Sequence, residues 1–255
     1  MSLARVIPVL LLGKDGLVKT ERFANHRYIG DPLNAVRIYN EKQVDELTLL
    51  DINATVQNYQ PKFSLLKRIA AECRMPLCYG GGIKDFETAE KLISLGIEKV
   101  SLSSAAINDF SIVSKIASAL GSQSTVVCID YARGWMGKRS VTTHNGTKKK
   151  NGDIRNYIKQ AVDAGAGEII LNSITDDGSM KGYDLEFAAE IAESVKIPMT
   201  FIGGAGSLAD ISELFEKCGN IGAGAGSLFV YKGALRGVLI NYPSQDAKKR
   251  LRAKE

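Results

Sequence analysis

Two glycine-rich clusters in this sequence have the make-up of anion sites. Gly80, Gly81 and Gly82 are followed by Ser103 and Ser104, and Gly203 and Gly204 are followed by Gly226 and Ser227. Bare glycines let an anion approach backbone N–H groups, and a helix that starts there adds its dipole. Glycines also make tight turns with no ligand at all, so the repeated pairing with serine is what favours anion binding. Two equivalent clusters suit a small molecule with a phosphate at each end. Carboxylates stand nearby: Asp130 closes the apolar run TVVCID, Asp51 closes LTLLD, and Asp176 and Asp177 follow EIILNSIT. Lys19 lies in the loop after the first apolar run. Asp130 is the best candidate for general acid/base work, because an apolar strand opens onto the site there. A carboxylate in that place can equally cap the next helix or turn.

The elements that must position these residues follow from hydrophobic periodicity. Short apolar runs predict strands at 6–12, 47–52, 76–79, 100–103, 125–130, 168–172, 198–202 and 221–226. Amphipathic stretches between them predict helices, among them 86–95, 154–164, 185–195 and 207–218. Apolar strands alternating with helices argue for a parallel sheet covered on both faces. Eight such strands in 255 residues favour a closed (β/α)8 TIM barrel over an open sheet. The chain also repeats itself. GGIKDFETAEKLISLGIEKVSLSSAA, from Gly81, matches GGAGSLADISELFEKCGNIGAGAGSLF, from Gly203. Glu46 and Glu168 open corresponding strands, as do Val6 and Thr125, so the barrel is read as two similar half-barrels. No linker separates them, and 1–255 is expected to be one domain.

In such a barrel the working residues sit at the C-terminal ends of the strands. The duplication then provides an internal test, because the half-barrel equivalent of Asp130 is Leu11. Leucine cannot take or give a proton, and Asp15 lies beyond the strand end, displaced by Gly13. Chemistry that needs one carboxylate from each half is therefore disfavoured. At the opposite end Arg5, Glu46, Lys99 and Glu168 stand at or just before the starts of strands one, two, four and six. Pointing inward they would form a ring of alternating charge, which must be mutually paired to be tolerable. Pointing outward they would be ordinary ion pairs around the bottom rim, and spacing alone leans that way.

Bulk properties narrow the function classes. Hydrophobic residues make up 45% and charged residues 24%, an ordinary globular balance. With 25 Gly but only 6 Pro, the glycines suit strand-to-helix turns rather than a disordered linker. The net charge of +5 owes much to the terminal AKKRLRAK run and to Lys148, Lys149 and Lys150, with no aromatic-rich basic stripe of the kind nucleic acid requires. Four cysteines without metal-ligand spacing, and only 2 His, leave neither a metal nor a cofactor expected; reduced, buried thiols suit a cytoplasmic protein. The opening apolar run is too short for a signal peptide or a membrane span.

The motif set as a whole resembles the HisF cyclase family, the barrel half of imidazole glycerol phosphate synthase. RVIP, KDG, GDP, VDELTLLDI, GGGI, KVSLSSAA, GSQSTVVCID, THNGTKK, GAGEIILNSI, DGSMKGYDLE, GGAG and GSLF carry the resemblance over essentially the whole chain. It implies a HisH-like glutaminase at the N-terminal barrel face and ammonia passing through the barrel to a bisphosphorylated substrate. It also implies phosphate contacts from Gly82, Ser103, Ser104, Asp177, Gly178, Gly204, Gly226 and Ser227. Arg5, Glu46, Lys99 and Glu168 match the family's charged gate, which favours the inward ring. Of the family's two catalytic aspartates, one matches Asp130 and the other falls on Leu11; Asn172 stands where true cyclases usually have threonine.

PVLLLGKDGLVKT, MPLCYGGGI, THNGTKK and LINYPS are similar to a branch of HisF-like proteins of surface-polysaccharide clusters, the AglZ/WbuZ type. That branch implies ammonia delivery, with a separate ATP-dependent amidotransferase at the C-terminal face, for conversion of a sugar acetamido group to an acetamidino group. The absence of a P-loop agrees with activation of the acetamido oxygen elsewhere. Three other readings remain: an active cyclase-lyase of histidine biosynthesis, with Asp15 or Asp51 replacing the missing acid; a barrel that only activates its glutaminase; and a generic sugar-phosphate isomerase, in which the charged ring would have no role.

Overall fold

Eight nearly continuous apolar segments form the wall of the molecule. The computed structural model describes residues 4–233 and 235–252; the end of the basic terminal run lies outside the described residues. The wall strands are β1 Arg5–Leu12, β2 Leu47–Asp51, β3 Leu77–Gly80, β4 Lys99–Leu102, β5 Thr125–Arg133, β6 Glu168–Ser173, β7 Met199–Ile202 and β8 Gly222–Ala225. Each pairs in parallel with its neighbours, and β8 returns to β1 through Arg5↔Gly222 to Pro8↔Ala225. The sheet is therefore closed, and the chain is a (β/α)8 barrel. The main helices are α1 Pro32–Glu41, α2 Phe63–Glu72, α3 Phe86–Ser94, α4 Ser111–Leu120, α5 Ile154–Asp163, α6 Leu185–Ser194, α7 Leu208–Cys218 and α8 Gln245–Arg252. None of the described helices is long and apolar enough to cross a membrane.

Strand parity sorts the wall into two cores, because alternate side chains face opposite sides of a sheet. Val6, Leu10 and Leu12 pack outward under the helices with Val127, Ile129, Ile169 and Leu171. Val9 and Leu11 point inward with Cys78, Val126, Cys128, Ile170 and Ile202, which fill the bore.

The internal repeat is visible in register and in capping. Leu11 pairs with Leu50 as Asp130 pairs with Asn172, and Val6 pairs with Ala223 as Thr125 pairs with Val100. Asp85 caps α3 by accepting from Thr88 N at 2.8 Å; Ser207, at the equivalent place, caps α7 by accepting from Asp210 N at 3.2 Å. Such caps satisfy N–H groups that the first helical turn leaves unpaired. A short helix follows both β4 and β8, at Ser104–Asn108 and Ser227–Val230.

The structure departs from the sequence expectation after β1 and in β5. An antiparallel hairpin, Leu17–Glu21 with Ala24–Gly30, stands on the end of β1 where only a loop was expected. Strand β5 does not stop at Asp130 but runs on to Arg133, because Arg139–Thr143 turns back and pairs with it antiparallel.

Candidate functional site at the two ends of the bore

At the C-terminal mouth one continuous pocket is lined by both glycine-serine clusters, by Lys19, Asp51, Asp177 and Gly178, and by Leu11 and Asp130. The expected top-face residues are thus brought together, including Gly82, Ser103, Ser104, Gly204, Gly226 and Ser227. Ser227 Oγ is buried without a hydrogen-bond partner, whereas Ser104 Oγ already accepts from His144 N at 3.1 Å. An unsatisfied buried hydroxyl costs roughly 1–3 kcal/mol, so Ser227 is the better placed of the two to take a ligand oxygen.

The glycines of the second cluster serve two ends. Gly204 has φ +106°, and a Cβ there would lie 1.9 Å from Gly182 O, so this position is dictated by backbone packing whatever binds nearby. Gly226 is different: a Cβ would meet the end of the Lys19 side chain at 2.8 Å. Its bareness is what admits the ammonium to the cradle.

Lys19 is held there by Asp177, with Nζ donating to Oδ1 at 3.1 Å. Asp177 Oδ2 also accepts from Thr20 Oγ1 at 2.6 Å and from Phe23 N at 3.2 Å. Its carboxylate is therefore spent on fastening the β1 hairpin over the mouth. Asp51 is similarly engaged: Oδ1 accepts from Asn53 N, Ala54 N and Tyr59 OH, at 3.0, 3.0 and 2.8 Å, while Oδ2 is buried without a partner. Asp15 is exposed and does not line the pocket.

Asp130 is the carboxylate best placed to act as acid or base. Asn172 Nδ2 donates to its Oδ1 at 2.8 Å and Ser103 Oγ to its Oδ2 at 3.1 Å. Burial pushes its carboxyl up to about 6, against the opposing pull of those two hydrogen bonds. Across the duplication Leu11 is buried at 7% exposure and offers only methyl groups.

Below the mouth the bore is lined mostly by apolar side chains, with the buried Ser101 hydroxyl left without a partner, down to the ring, which points inward. Arg5 Nη1 donates to Glu46 Oε2 at 2.5 Å, and Arg5 Nη2 to Glu168 Oε1 at 2.7 Å. Lys99 Nζ closes the circuit at 2.8 Å to both Glu46 Oε2 and Glu168 Oε2. Thr200 Oγ1 adds a bond of 2.6 Å to Glu168 Oε1. The glutamates are buried and the cations nearly so, which excludes the outward rim arrangement. Burial pushes the Glu168 carboxyl up, but Arg5 and Lys99 outweigh it and hold the group down at about 2. Burial likewise opposes the charge on Lys99, and its two carboxylate partners keep it protonated beyond the ordinary lysine range.

Sequence reasoning missed Asn145 at the mouth and Cys78, Ser101 and Cys128 in the bore. Parity was the signal available: Lys99, Ser101 and Ser103 share a face, as do Glu168, Ile170 and Asn172. Among the described residues no group of three or more His, Cys, Asp or Glu could hold a metal ion.

A closed (β/α)8 barrel with paired glycine-serine cradles at its mouth is a scaffold suited to phosphorylated small molecules. The chain belongs to the histidine biosynthesis protein family, whose model matches residues 5–236. It is 53% identical over 248 residues to the "Putative imidazole glycerol phosphate synthase subunit HisF" of Leptospira borgpetersenii, covering 97% of this chain and 98% of that one. It is 50% identical over 239 residues to the similarly named subunit hisF2 of Pseudomonas aeruginosa, covering 94% and 95%. To the imidazole glycerol phosphate synthase subunit HisF of Exiguobacterium sibiricum it is 38% identical over 232 residues, covering 90% and 91%. The protein is a HisF-like barrel.

Proposed function

We propose that this protein is the barrel partner of a HisH-like glutaminase and conducts ammonia from its N-terminal floor to its C-terminal mouth. The observation that carries the reading is the pairing of an intact charged ring with Leu11 at the mouth. The passage is kept, and half of the expected acid/base pair is gone. The names of the relatives, each a synthase subunit, support a partner.

Glutamine hydrolysis beneath the floor releases ammonia as the neutral base. Lys99, which reaches two carboxylates at 2.8 Å, is the side chain whose swing opens the ring. Above it Cys78, Val126, Ile170 and Cys128 offer a largely apolar bore in which ammonium would lose most of its hydration, while ammonia, which the unpaired Ser101 hydroxyl can meet, loses far less. The molecule leaves the bore beside Asp130 and Lys19. There it meets an acceptor held by the anion cradles, or a docked ATP-dependent amidotransferase that has activated the acetamido oxygen of a sugar for surface-polysaccharide (O-antigen) synthesis. The work is cytoplasmic.

Two assays decide the matter. With glutaminase and amidotransferase present, a bulky residue that blocks the floor should abolish amidation supported by glutamine and leave amidation supported by ammonium salt intact. Unchanged glutamine-supported amidation would reduce the barrel to a glutaminase activator. A second reading, an active cyclase of histidine biosynthesis, draws on Asp130, whose carboxyl at about 6 suits proton transfer near neutrality. Steady turnover of the bisphosphorylated ribosyl-aminoimidazole carboxamide with ammonium salt would establish it and sink the conduit-only view.

A further inference from the structure

The two halves of the barrel reach the charged ring by different routes. In the second half the residue before Glu168 is Gly167, whose N–H donates directly to Thr125 O at 2.9 Å. A Cβ on Gly167 would lie 2.1 Å from Ser122 O, so the chains there are in direct contact. In the first half the equivalents are Asp45 and Val6, and that direct bond is absent. The parallel ladder between β1 and β2 begins only at Val9↔Thr48. The gap below it is spanned instead by the C-terminal segment: Tyr242 OH accepts from Asp45 N at 3.2 Å and donates to Val6 O at 2.8 Å.

The Asp45 carboxylate completes the splice. Its Oδ2 accepts from Val6 N at 2.9 Å and from Arg252 Nη2 at 2.5 Å, and its Oδ1 from Lys248 Nζ at 2.7 Å. Lys248 is 2% exposed, an unusual depth for a lysine near a chain end, and its ammonium also donates to Gln43 O at 3.1 Å. A buried charge is retained only where it is paired, so helix α8 is fastened to this one carboxylate. Asp45 and Val6 are the chain neighbours of Glu46 and Arg5, which are half of the ring.

We infer that Asp45, gripped by Lys248 and Arg252 of helix α8, is a positioning residue that holds the Arg5 and Glu46 arm of the ring in its closed geometry. The Glu168 arm is set by the direct Gly167–Thr125 backbone bond and by Thr200 Oγ1, neither of which belongs to the C-terminal segment, so the first arm is the one that the C-terminal helix controls. Loosening the splice lets Arg5 and Glu46 drift and opens the floor to solvent. Its bearing on ammonia passage rests on the conduit reading; its bearing on ring geometry does not.

The bore contains its own reporter. Cys78 is fully buried and lies close enough to the ring to feel all four of its charges. In the whole chain under native conditions, modification of Cys78 by methyl methanethiosulfonate, followed site by site by mass spectrometry, should be slow. Lys248→Met, which keeps the buried bulk and removes the charge, should raise its rate at least tenfold relative to Cys128 near the mouth. Lys248→Arg should return it to within twofold of the parent. Leu251→Ala, a buried change on the same helix that leaves Asp45 alone, should lower stability without accelerating Cys78. If Lys248→Met does not fold, Tyr242→Phe removes only the bridging hydroxyl and should raise the rate severalfold. An unchanged Cys78 rate in the charge and hydroxyl variants, or equal acceleration by Leu251→Ala, would overturn the inference. Because the readout involves no ammonia, the conduit can fail while the splice stands, and the reverse.

Discussion

At the floor of the bore the two half-barrels contribute the same residue to the same place, Glu46 and Glu168, and two cations bind both. At the mouth the halves differ at one matched position, with Asp130 hydrogen-bonded by Asn172 and Ser103 while Leu11 sits in apolar contact. Both ends descend from the same repeat, so the difference separates what two distinct jobs require. A buried ring of paired charges needs all its members, since one missing partner strands another in low dielectric. On the proposed conduit reading, a mouth that only receives and hands on a neutral molecule needs no second acid, and a leucine there is tolerated.

The largest effect should come from breaking the floor. Glu168→Ala leaves Arg5 and Lys99 with Glu46 as their sole shared carboxylate, and loss of one member of a buried ionic network costs about 3–5 kcal/mol. Urea unfolding near neutral pH measures this; a loss below about 1 kcal/mol would mean that the ring is solvated like a surface pair. The pH dependence has a definite sign. The folded carboxyl of Glu168 is held at about 2 against an ordinary 4.5, so its contribution is complete above about 4.5 and is lost as pH falls from there towards 2. Glu168→Gln should flatten the urea midpoint across that window.

Restoring symmetry at the mouth is the next test. Leu11→Asp removes a buried aliphatic side chain and places a carboxylate in the apolar cluster, at a cost of roughly 2–5 kcal/mol at pH 8. The new group should titrate high, both because it is desolvated and because Asp130 shares the pocket, so the penalty should shrink as pH is lowered. If cyclase turnover is absent in the parent and emerges only in Leu11→Asp, the leucine marks the point where the two activities parted. Turnover in the parent equal to that of the variant would erase the distinction between floor and mouth.

How far the sequence foretold this arrangement depended on the kind of interaction. All eight wall strands were legible because each is a short apolar run between glycines and amphipathic stretches. The hairpin after β1 was not, since its outer strand, Ala24–Gly30, is mostly exposed and carries no alternating apolar pattern. The mouth cradles were legible as repeated glycine-serine pairs, yet Gly204 proved to answer first to the Gly182 backbone, a contact that no spacing reveals. The inward direction of Arg5 was available in principle, because it shares parity with Val9 and Leu11. The Asp45 splice was out of reach: it joins residues about two hundred positions apart through two side chains of an unremarkable basic tail.

A smaller effect, opposite in sign, is expected at Asp130. Its folded carboxyl, raised to about 6 from an ordinary 3.8, binds a proton more tightly than in the unfolded chain. Stability contributed by this group therefore rises as pH falls from above 6 towards 4, the reverse of Glu168. Asp130→Asn keeps an acceptor for Asn172 and turns its amide N–H toward Ser103 Oγ, which can accept it, and should stabilise the protein by about 1–3 kcal/mol at pH 8, with little effect at pH 4. Denaturation midpoints at the two pH values test this, and a variant that is destabilised at pH 8 would mean that the ionised carboxylate is fully compensated where it stands.

The smallest expected change separates the two uses of glycine at the mouth. Gly226→Ala meets the flexible end of Lys19, at 2.8 Å from Cε and 3.0 Å from Nζ, and Val9 O at 3.3 Å, a close but tolerable contact; the lysine can move, and stability should fall by less than about 1 kcal/mol. The displaced ammonium would no longer stand over the second cradle, and its hold on Asp177 at 3.1 Å would loosen. Binding of inorganic phosphate, followed by calorimetry, should weaken several-fold in Gly226→Ala with the fold intact. Unchanged phosphate binding would show that Lys19 serves the hairpin alone. The mouth would then be distinguished from the floor not only by its missing acid but by a cation that takes no part in holding its ligand.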